Sequence, residues 1–418
     1  MQGQSKKVTA ILLGAGHRGA DAYAAYALQY PEELTFVGVA EPDKERREAF
    51  RRAHKIDAQY AVETWEELLA FPRMADVVLI CTQDHMHTEP MERAMELGYD
   101  ILVEKPVSPV KEELLRLKEK TKHYEGMVSV CHVLRYSPFF RNIKEILDAG
   151  TIGDVMNIQH MESIGFWHMA HSFVRGNWRN TAESSPICLA KTCHDFDILL
   201  WLTGKKCLRV SSFGSLNLFR KEMAPAGAPQ RCTDGCAHRS RCPFYAPRFY
   251  LEHPRAAVDG FRRVVTMDET VEGLMEALKT GPYGRCVYAC DNDVCDHQVV
   301  QMEMEGGLTI SFTLSAFTNA CERILTIQGS RGELKGWMEE DRIVVTDFLT
   351  GNQTVHTLNT PKSGHSGSDA AMMEELVFLI AEGRQKESIS HAAQAIDSHL
   401  IALAAEESRL ANGKVIEL

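Results

Sequence analysis

From residue 8 to residue 106 the chain alternates between two patterns of apolar and polar positions. Short, nearly continuous apolar runs at residues 8–13, 35–41, 75–82 and 100–103 read as strands. Between them lie an alanine-rich stretch after Gly19 and more polar stretches at residues 43–55, 64–71 and 87–98 of helical character. Strands that alternate with helices imply a parallel, doubly wound sheet, whose ligands sit at the carboxyl ends of the strands. After residue 296 the period changes. Residues 297–317, 321–330, 333–338 and 341–348 alternate apolar with polar positions, as strands of a half-exposed antiparallel sheet do. Two helical stretches follow, 368–383 and 391–413, the second ending on Gly413. Residues 359–370, which include His365 and Asp369, read as a solvated connector, and no internal repeat is visible.

The first apolar run leads into Gly14-Ala15-Gly16-His17-Arg18-Gly19. The spacing G-x-G-x-x-G is weak on its own. Set between a strand and a helix, it is the turn in which backbone N–H groups and a helix dipole meet a pyrophosphate. The second strand ends at Glu41, 22 residues beyond Gly19. A carboxylate there hydrogen-bonds the adenosine ribose and repels a 2′-phosphate, which favours NAD over NADP, although Arg46 and Arg47 leave NADP open.

Residues 101–108, ILVEKPVS, set a charge pair where the strand leaves the core. Pro106 keeps Lys105 out of the helical region, so the lysine is held extended at the strand tip. With Thr82 at the end of the preceding strand, Glu104 and Lys105 fall on the ligand-binding edge.

Composition narrows the class. At 418 residues the chain exceeds the roughly 100–200 of a single domain. Its 44% hydrophobic and 25% charged residues describe a soluble globular protein without an apolar run of membrane-spanning length. The short apolar stretch near the start runs into a glycine turn rather than a cleavage site. A net charge of −11 and the lack of a long basic tract argue against nucleic acid as a partner. Twelve cysteines in a long chain of intracellular pattern point to free thiols or a metal rather than a disulfide framework, and to the cytoplasm.

The combination of GAGHRG, VAEPD, CTQDHMHTEP and EKP resembles the glucose-fructose oxidoreductase and inositol dehydrogenase (Gfo/Idh/MocA) family. HVLRYSPFFRNIKEILDAGTIGDV, HDFDILLWLTG, IQGSRGEL and AAEESRLANGKVIEL carry the likeness through nearly the whole chain. The resemblance implies an α/β Rossmann domain over residues 1–128. It implies an α+β domain over residues 129–418, with a large open, mainly antiparallel sheet that covers the nicotinamide and packs in homo-oligomers, a dimer or a tetramer. Cofactor contacts are expected from Gly14, Gly16, His17, Arg18, Gly19, Glu41, Thr82, His87, Glu104 and Lys105. The pair His85 and His87 lacks neighbouring acidic or thiol ligands, so it is read as part of the family's cofactor loop and not as a zinc pair. In the family the lysine of E-K-P lies beside the reacting carbinol and a later histidine helps to move the proton. By that match Lys105 and His194 are the catalytic pair.

The segment LAKTCHDFD departs from the pattern. Many dehydrogenases of the family place an aspartate four residues before the histidine, where this chain has Ala190 followed by Lys191. Lys191 is expected to bind an anionic or hydroxyl-rich substrate or to replace the missing contact, and Asp195 or Asp197 to orient His194. Arg135 and Tyr136 are expected near the nicotinamide or the substrate. GFWHMAHSFVRGNWRN concentrates His168, His171, Arg175, Trp178 and Arg179, a mixture suited to hydroxyls, sugar faces or an acidic group, with His168 and Arg179 taken for the substrate.

An insertion near residues 220–295 holds Cys232, Cys236 and Cys242 in a C-x3-C-x5-C spacing, followed by Cys286 and Cys290. Three thiols so close fit a tetrahedral zinc site closed by Cys286, with Cys290 as the substitute. Such a site would be full and structural, a staple for a long insertion with little other core.

Two activities are compatible with this reading. One is an NAD-dependent oxidoreductase acting on a sugar, cyclitol or sugar derivative. The other is an NAD-dependent glycoside hydrolase that oxidises C3 transiently, eliminates the aglycone, adds water and returns the hydride.

Overall fold

The computed structural model describes residues 6–360 and 367–418, so His365 lies outside the described residues. The chain divides into two compact units. The first comprises Met1–Lys144, Cys193–Leu202 and Asn359–Leu400, and the second Glu145–Thr192, Thr203–Leu358 and Ile401–Leu418. His194 therefore belongs to the same unit as Lys105.

The first unit is built on six parallel strands: β1 (Val8–Leu13), β2 (Leu34–Ala40), β3 (Ala61–Val62), β4 (Val77–Ile80), β5 (Asp100–Val103) and β6 (Val128–Val130). Their order is β3-β2-β1-β4-β5-β6, and the reversal between β1 and β4 makes the switch point at which such sheets bind ligands. β1, β4 and β5 carry almost no exposed side chain, as strands covered on both faces must. The alanine-rich stretch after Gly19 is less regular than its composition implies. A wide helical turn, His17–Tyr23, closes with Ala24 N–H on Gly19 O (2.9 Å) before the short helix Ala25–Gln29. The helix Ser368–Ala381 adds Met372, Met373 and Leu376 to the core formed with Val8, Leu12 and Phe36.

The second unit carries nine strands: β7 (Val155–Ser163), β8 (Cys207–Ser215), β9 (His297–Met304), β10 (Thr309–Ser315), β11 (Glu322–Gly329), β12 (Gly332–Trp337), β13 (Arg342–Asp347), β14 (Gln353–Thr357) and β15 (Ile416–Glu417). Their order is β14-β13-β12-β11-β7-β10-β9-β8-β15, and every pairing is antiparallel except β7 with β10. Strict alternation, such as Ile324, Thr326 and Gln328 half-exposed between buried Leu325 and Ile327, leaves one face open.

The insertion differs from its expectation. Helices Ala246–Glu252 and Val271–Thr280, with Trp167 and Tyr283, bury a hydrophobic cluster that includes the aromatic Phe249 and Tyr250 and the aliphatic Leu278. It has a core of its own, because aromatic side chains each bury a large apolar area.

Candidate active site

The glycine turn is shaped for close approach. Gly14 has φ +90°, and a Cβ there would stand 2.5 Å from Cys81 O, while a Cβ on Gly19 would meet Gly14 O at 2.2 Å. A Cβ on Gly16, in contrast, would meet nothing within 4 Å, which leaves a cradle open to a phosphate. Glu41, at the end of β2, accepts Ala15 N–H at 2.7 Å and Asp43 N–H at 3.0 Å, so its carboxylate is locked beside that cradle. These residues fit the adenosine and pyrophosphate of NAD.

Arg18 points elsewhere. Its guanidinium donates to Glu104 Oε1 (2.9 Å) and to both oxygens of Asp369 (2.7 and 3.1 Å), which occupies it within the protein rather than on a phosphate. Asp369 is buried, a correction to the solvated connector expected there, because a guanidinium drawn inside needs carboxylates around it. Glu104 also receives the Tyr23 hydroxyl (2.5 Å) and the Lys105 N–H (2.9 Å). Burial would raise the Glu104 carboxyl, but the Arg18 guanidinium and the Lys105 ammonium outweigh it and hold the group below the usual range. The charge expected at the cofactor edge is thus a fixed carboxylate that anchors the lysine backbone. His87 ties the same edge together, with Nδ1 2.7 Å from Pro106 O and Nε2 3.1 Å from Thr82 O, while Thr82 Oγ1 donates to Met86 O.

Lys105 lies at the end of β5 among buried histidines. His132 is fully buried, its ring 5.6 Å from that of His194 and 5.5 Å from that of His399. Burial, then Arg135 and Lys105, push His132 well below its ordinary value, so it is neutral. His399 accepts Val107 N–H on Nε2 (3.0 Å), and burial lowers it to about 3. Cys193, next to His194, is pushed up to about 12 by burial, against the pull of Lys105, and stays a thiol. The lysine and His194 are thus brought into one electrostatic neighbourhood.

Arg135 and Tyr136 face inward instead of toward a substrate. Arg135 is gripped by Asp197 and donates to Ile389 O, and the Tyr136 hydroxyl lies 3.0 Å from Ser390 Oγ. Asp197 is committed to Arg135, and Asp195 is fully buried. His132, His399 and Tyr23 were not singled out from the sequence, and His132 carried a signal as an imidazole set in the apolar run MVSVCHVL.

In the second unit, Lys191 Nζ lies 2.9 Å from Glu162, a carboxylate on β7 with no exposed surface, and Arg323 lies 3.0 Å from the other oxygen. Glu162 and Arg323 had no signal in the sequence beyond a charge at an inward position of a strand. His168 Nδ1 is 3.9 Å from Cys321 Sγ. His171 bonds the Tyr250 hydroxyl (2.7 Å) and stacks on Phe261 and Tyr283. Arg179 is spread over Asp291 and Glu183, a surface network that accounts for its charge without a substrate. All twelve cysteines are free, and among the described residues no group of three or more His, Cys, Asp or Glu side chains stands in the arrangement of metal ligands. The expected zinc is not shown. No helix among the described residues is long and apolar enough to cross a membrane.

Two family models match the chain: the oxidoreductase family NAD-binding Rossmann fold over residues 8–132, and the C-terminal alpha/beta domain of the same family over residues 144–415. The chain belongs to the Gfo/Idh/MocA oxidoreductase family. The Bacillus subtilis protein named "Putative oxidoreductase YteT" is 25% identical over 334 residues, 76% of this chain and 75% of that one. Inositol 2-dehydrogenase of Corynebacterium glutamicum is 26% identical over 49% of this chain and 57% of its own length. Among solved structures, an inositol dehydrogenase homolog from Azotobacter vinelandii, complexed with NADH and myo-inositol, superposes with a TM-score of 0.68 at 13% identity. It covers 99% of this chain and 98% of its own. A levoglucosan dehydrogenase complexed with NADH and levoglucosan gives 0.70 at 17% identity over 99% of both chains. At such identities the structural likeness speaks for the fold.

Proposed function

We propose that the protein transfers hydride between NAD and a ring carbinol of a sugar, cyclitol or sugar derivative. The observation that carries this reading is the placement of Lys105. Its backbone is fixed by Glu104 at the carboxyl edge of a parallel sheet, and it shares a neighbourhood with His194 and neutral His132. Bound there, NAD would take up the hydride from the substrate C–H. Lys105, as the neutral amine, accepts the proton of the adjacent hydroxyl, and His194 holds that hydroxyl and carries the proton onward. Glu104 keeps the lysine backbone in place while its charge stays on Arg18. The locked Glu41 carboxylate favours NAD over NADP by repelling a 2′-phosphate. The names of the relatives, inositol 2-dehydrogenase and levoglucosan dehydrogenase, support a polyhydroxylated ring as the substrate class.

The exposed face of the nine-stranded sheet, where Phe213 stands opposite Val299, supports assembly of like chains through that sheet. A cytoplasmic setting fits the free thiols.

The reading is tested by incubating the purified protein with NAD and a panel of inositols, free sugars and nitrophenyl glycosides while following NADH and nitrophenol together. NADH that accumulates in step with oxidised product supports it. Nitrophenol released without net NADH, and only with cofactor supplied or already bound, would replace it with a glycoside hydrolase whose redox step is internal.

A further inference from the structure

His132 is fully buried, and neither of its ring nitrogens has a hydrogen-bond partner among the described residues. A buried polar group left unsatisfied is costly, and a leucine or phenylalanine would fill the same core position without that cost. The imidazole calls for a use.

The backbone sets His132 beside Lys105. β5 and β6 pair in register through Val103 and Val130, and Cys131 N–H on Val103 O (2.9 Å) carries the ladder one residue further. The segments Glu104-Lys105 and Cys131-His132 therefore leave the sheet as adjacent tips. Lys105 and His132 hold matching positions on them, and matching side chains of neighbouring strands share a face. Among the described residues, the charged and titratable groups facing the imidazole are Arg135 on its own turn, Glu104 and Lys105 after β5, His194 and Asp197 on helix Cys193–Thr203, and His399 on helix Ala392–Leu410.

These neighbours settle what the ring can do. His132 Nε2 stands 3.6 Å from Asp197 Oδ1, too far for a hydrogen bond but on the side that favours the ring proton, which leaves the lone pair on Nδ1. His399 is committed elsewhere, with Val107 N–H on its Nε2 (3.0 Å) and Ala395 O 3.1 Å from its Nδ1. Burial, then Arg135 and Lys105, keep His132 neutral, so its lone pair stays an acceptor.

We propose that His132 is a positioning residue for Lys105: its Nδ1 accepts a hydrogen bond from the lysine amine through one buried water, and so aims the amine lone pair at the substrate hydroxyl. The inference rests on the reading above, in which Lys105 is the base. A neutral acceptor suits this task. It orients the amine without stabilising the ammonium, whereas a facing carboxylate would hold the proton on the lysine. Glu104, the carboxylate at the same tip, is tied to Arg18 (2.9 Å). The water satisfies Nδ1, as buried waters do for polar atoms that the fold leaves over. In the step itself the hydroxyl O–H bond breaks and its proton joins the amine lone pair, while the hydride goes to NAD. His132 neither gains nor loses a proton.

The test compares steady-state kinetics of the full chain with two variants, on whichever member of the inositol and sugar panel the native protein oxidises. His132→Phe fills the core without an acceptor, and its kcat is expected to fall at least roughly tenfold. Its denaturant midpoint is expected to be no lower than native, since no polar nitrogen is left to satisfy. KM for substrate and for NAD is expected to stay within about threefold, because the change acts on the reacting amine and not on binding. His132→Asn, whose amide oxygen stands where Nδ1 stands, is expected to recover kcat to within about threefold of native. Where the phenylalanine variant does not fold, His132→Leu takes its place.

An acceptor-free variant as fast as the native protein would overturn the proposal. So would an asparagine variant as slow as the acceptor-free one, which would make His132 a proton carrier, or a loss of rate that only follows a loss of stability. In each of these cases native turnover leaves the dehydrogenase reading standing. A native protein that reduces no NAD with any member of the panel would fell that reading and this inference together.

Discussion

Arg135 grips Asp197 with two parallel hydrogen bonds, Nε to Oδ2 at 2.7 Å and Nη2 to Oδ1 at 2.6 Å, and both side chains are buried. Burial pushes the Asp197 carboxyl up, and the guanidinium opposes that rise. Removing one partner of such a pair leaves the other charge buried and unanswered, which costs about 3–5 kcal/mol. Asp197→Asn and Arg135→Met are each expected to lower stability by about that amount, and the double variant by less than their sum. Denaturant unfolding of the four proteins checks it. Additive losses would mean that the pair is not coupled.

The lysine prediction concerns rate rather than stability. Lys105 is partly exposed, its backbone N–H is held by Glu104, and its neutral amine is the group proposed to take the substrate proton. Lys105→Met is expected to lower kcat by roughly 10²- to 10⁴-fold, the usual worth of a positioned base, with little change in NAD binding. His194→Asn is expected to fall in the same range. Steady-state kinetics with cofactor titration separates the two effects, and a Lys105→Met enzyme within a few-fold of the native rate would remove the lysine from the chemistry.

The parts of this arrangement that repeat a local pattern were legible in the sequence. The parallel strands, the glycine turn and the tip residues Glu104 and Lys105 follow from apolar runs and Gly/Pro punctuation, which act over a few residues. Long-range partners were not legible. Arg18 looked like a cofactor contact because its neighbours in the chain form the turn, yet its charge is answered by Asp369, 351 residues away. Arg135 and Tyr136 sit at the right sequence position for a substrate contact, but pairing with Asp197 and Ser390 turns them inward. Glu162 was hidden for a similar reason. A single inward carboxylate on a strand gives no sign of the two cations that meet it.

Those two cations set an order of cost. Glu162→Gln leaves both Lys191 and Arg323 facing a neutral amide, whereas Lys191→Met leaves Glu162 still paired with Arg323. The glutamine variant is expected to lose about 3 kcal/mol and the methionine variant about 1 kcal/mol. If Lys191 also binds the substrate, Lys191→Met raises KM more than it lowers kcat. Unfolding and kinetics on the two variants give both answers, and a reversed order of stability would count against the pairing.

Cofactor choice is proposed to turn on Glu41. Its oxygens already hold Ala15 and Asp43 N–H, so they are fixed where ribose hydroxyls are expected. The native protein is expected to prefer NAD over NADP by at least about tenfold in kcat/KM. Glu41→Ala is expected to narrow that ratio chiefly by weakening NAD, since repulsion and the ribose contact are lost together. Comparing kcat/KM with both cofactors for both proteins tests it. An unchanged ratio would place discrimination elsewhere, with Arg46 and Arg47 of the following helix as the candidate cations.

Two buried histidines make stability depend on pH. Burial lowers His171 and His399 to about 3, well below the ordinary histidine value of about 6.5 that the unfolded chain recovers. Between those values the unfolded chain binds protons that the folded chain refuses. The stabilising effect is therefore complete above pH 6.5 or so and is lost as pH falls toward about 3. Each histidine is expected to remove about 1.4 kcal/mol per pH unit within that window. His171→Gln should be less stable than the native chain at pH 7, because it gives up the bond to Tyr250 and the stacking on Phe261 and Tyr283. It should nevertheless lose less stability than the native chain between pH 7 and pH 5. Denaturant midpoints at the two pH values decide it, and parallel losses would mean that His171 takes up its proton in the folded state.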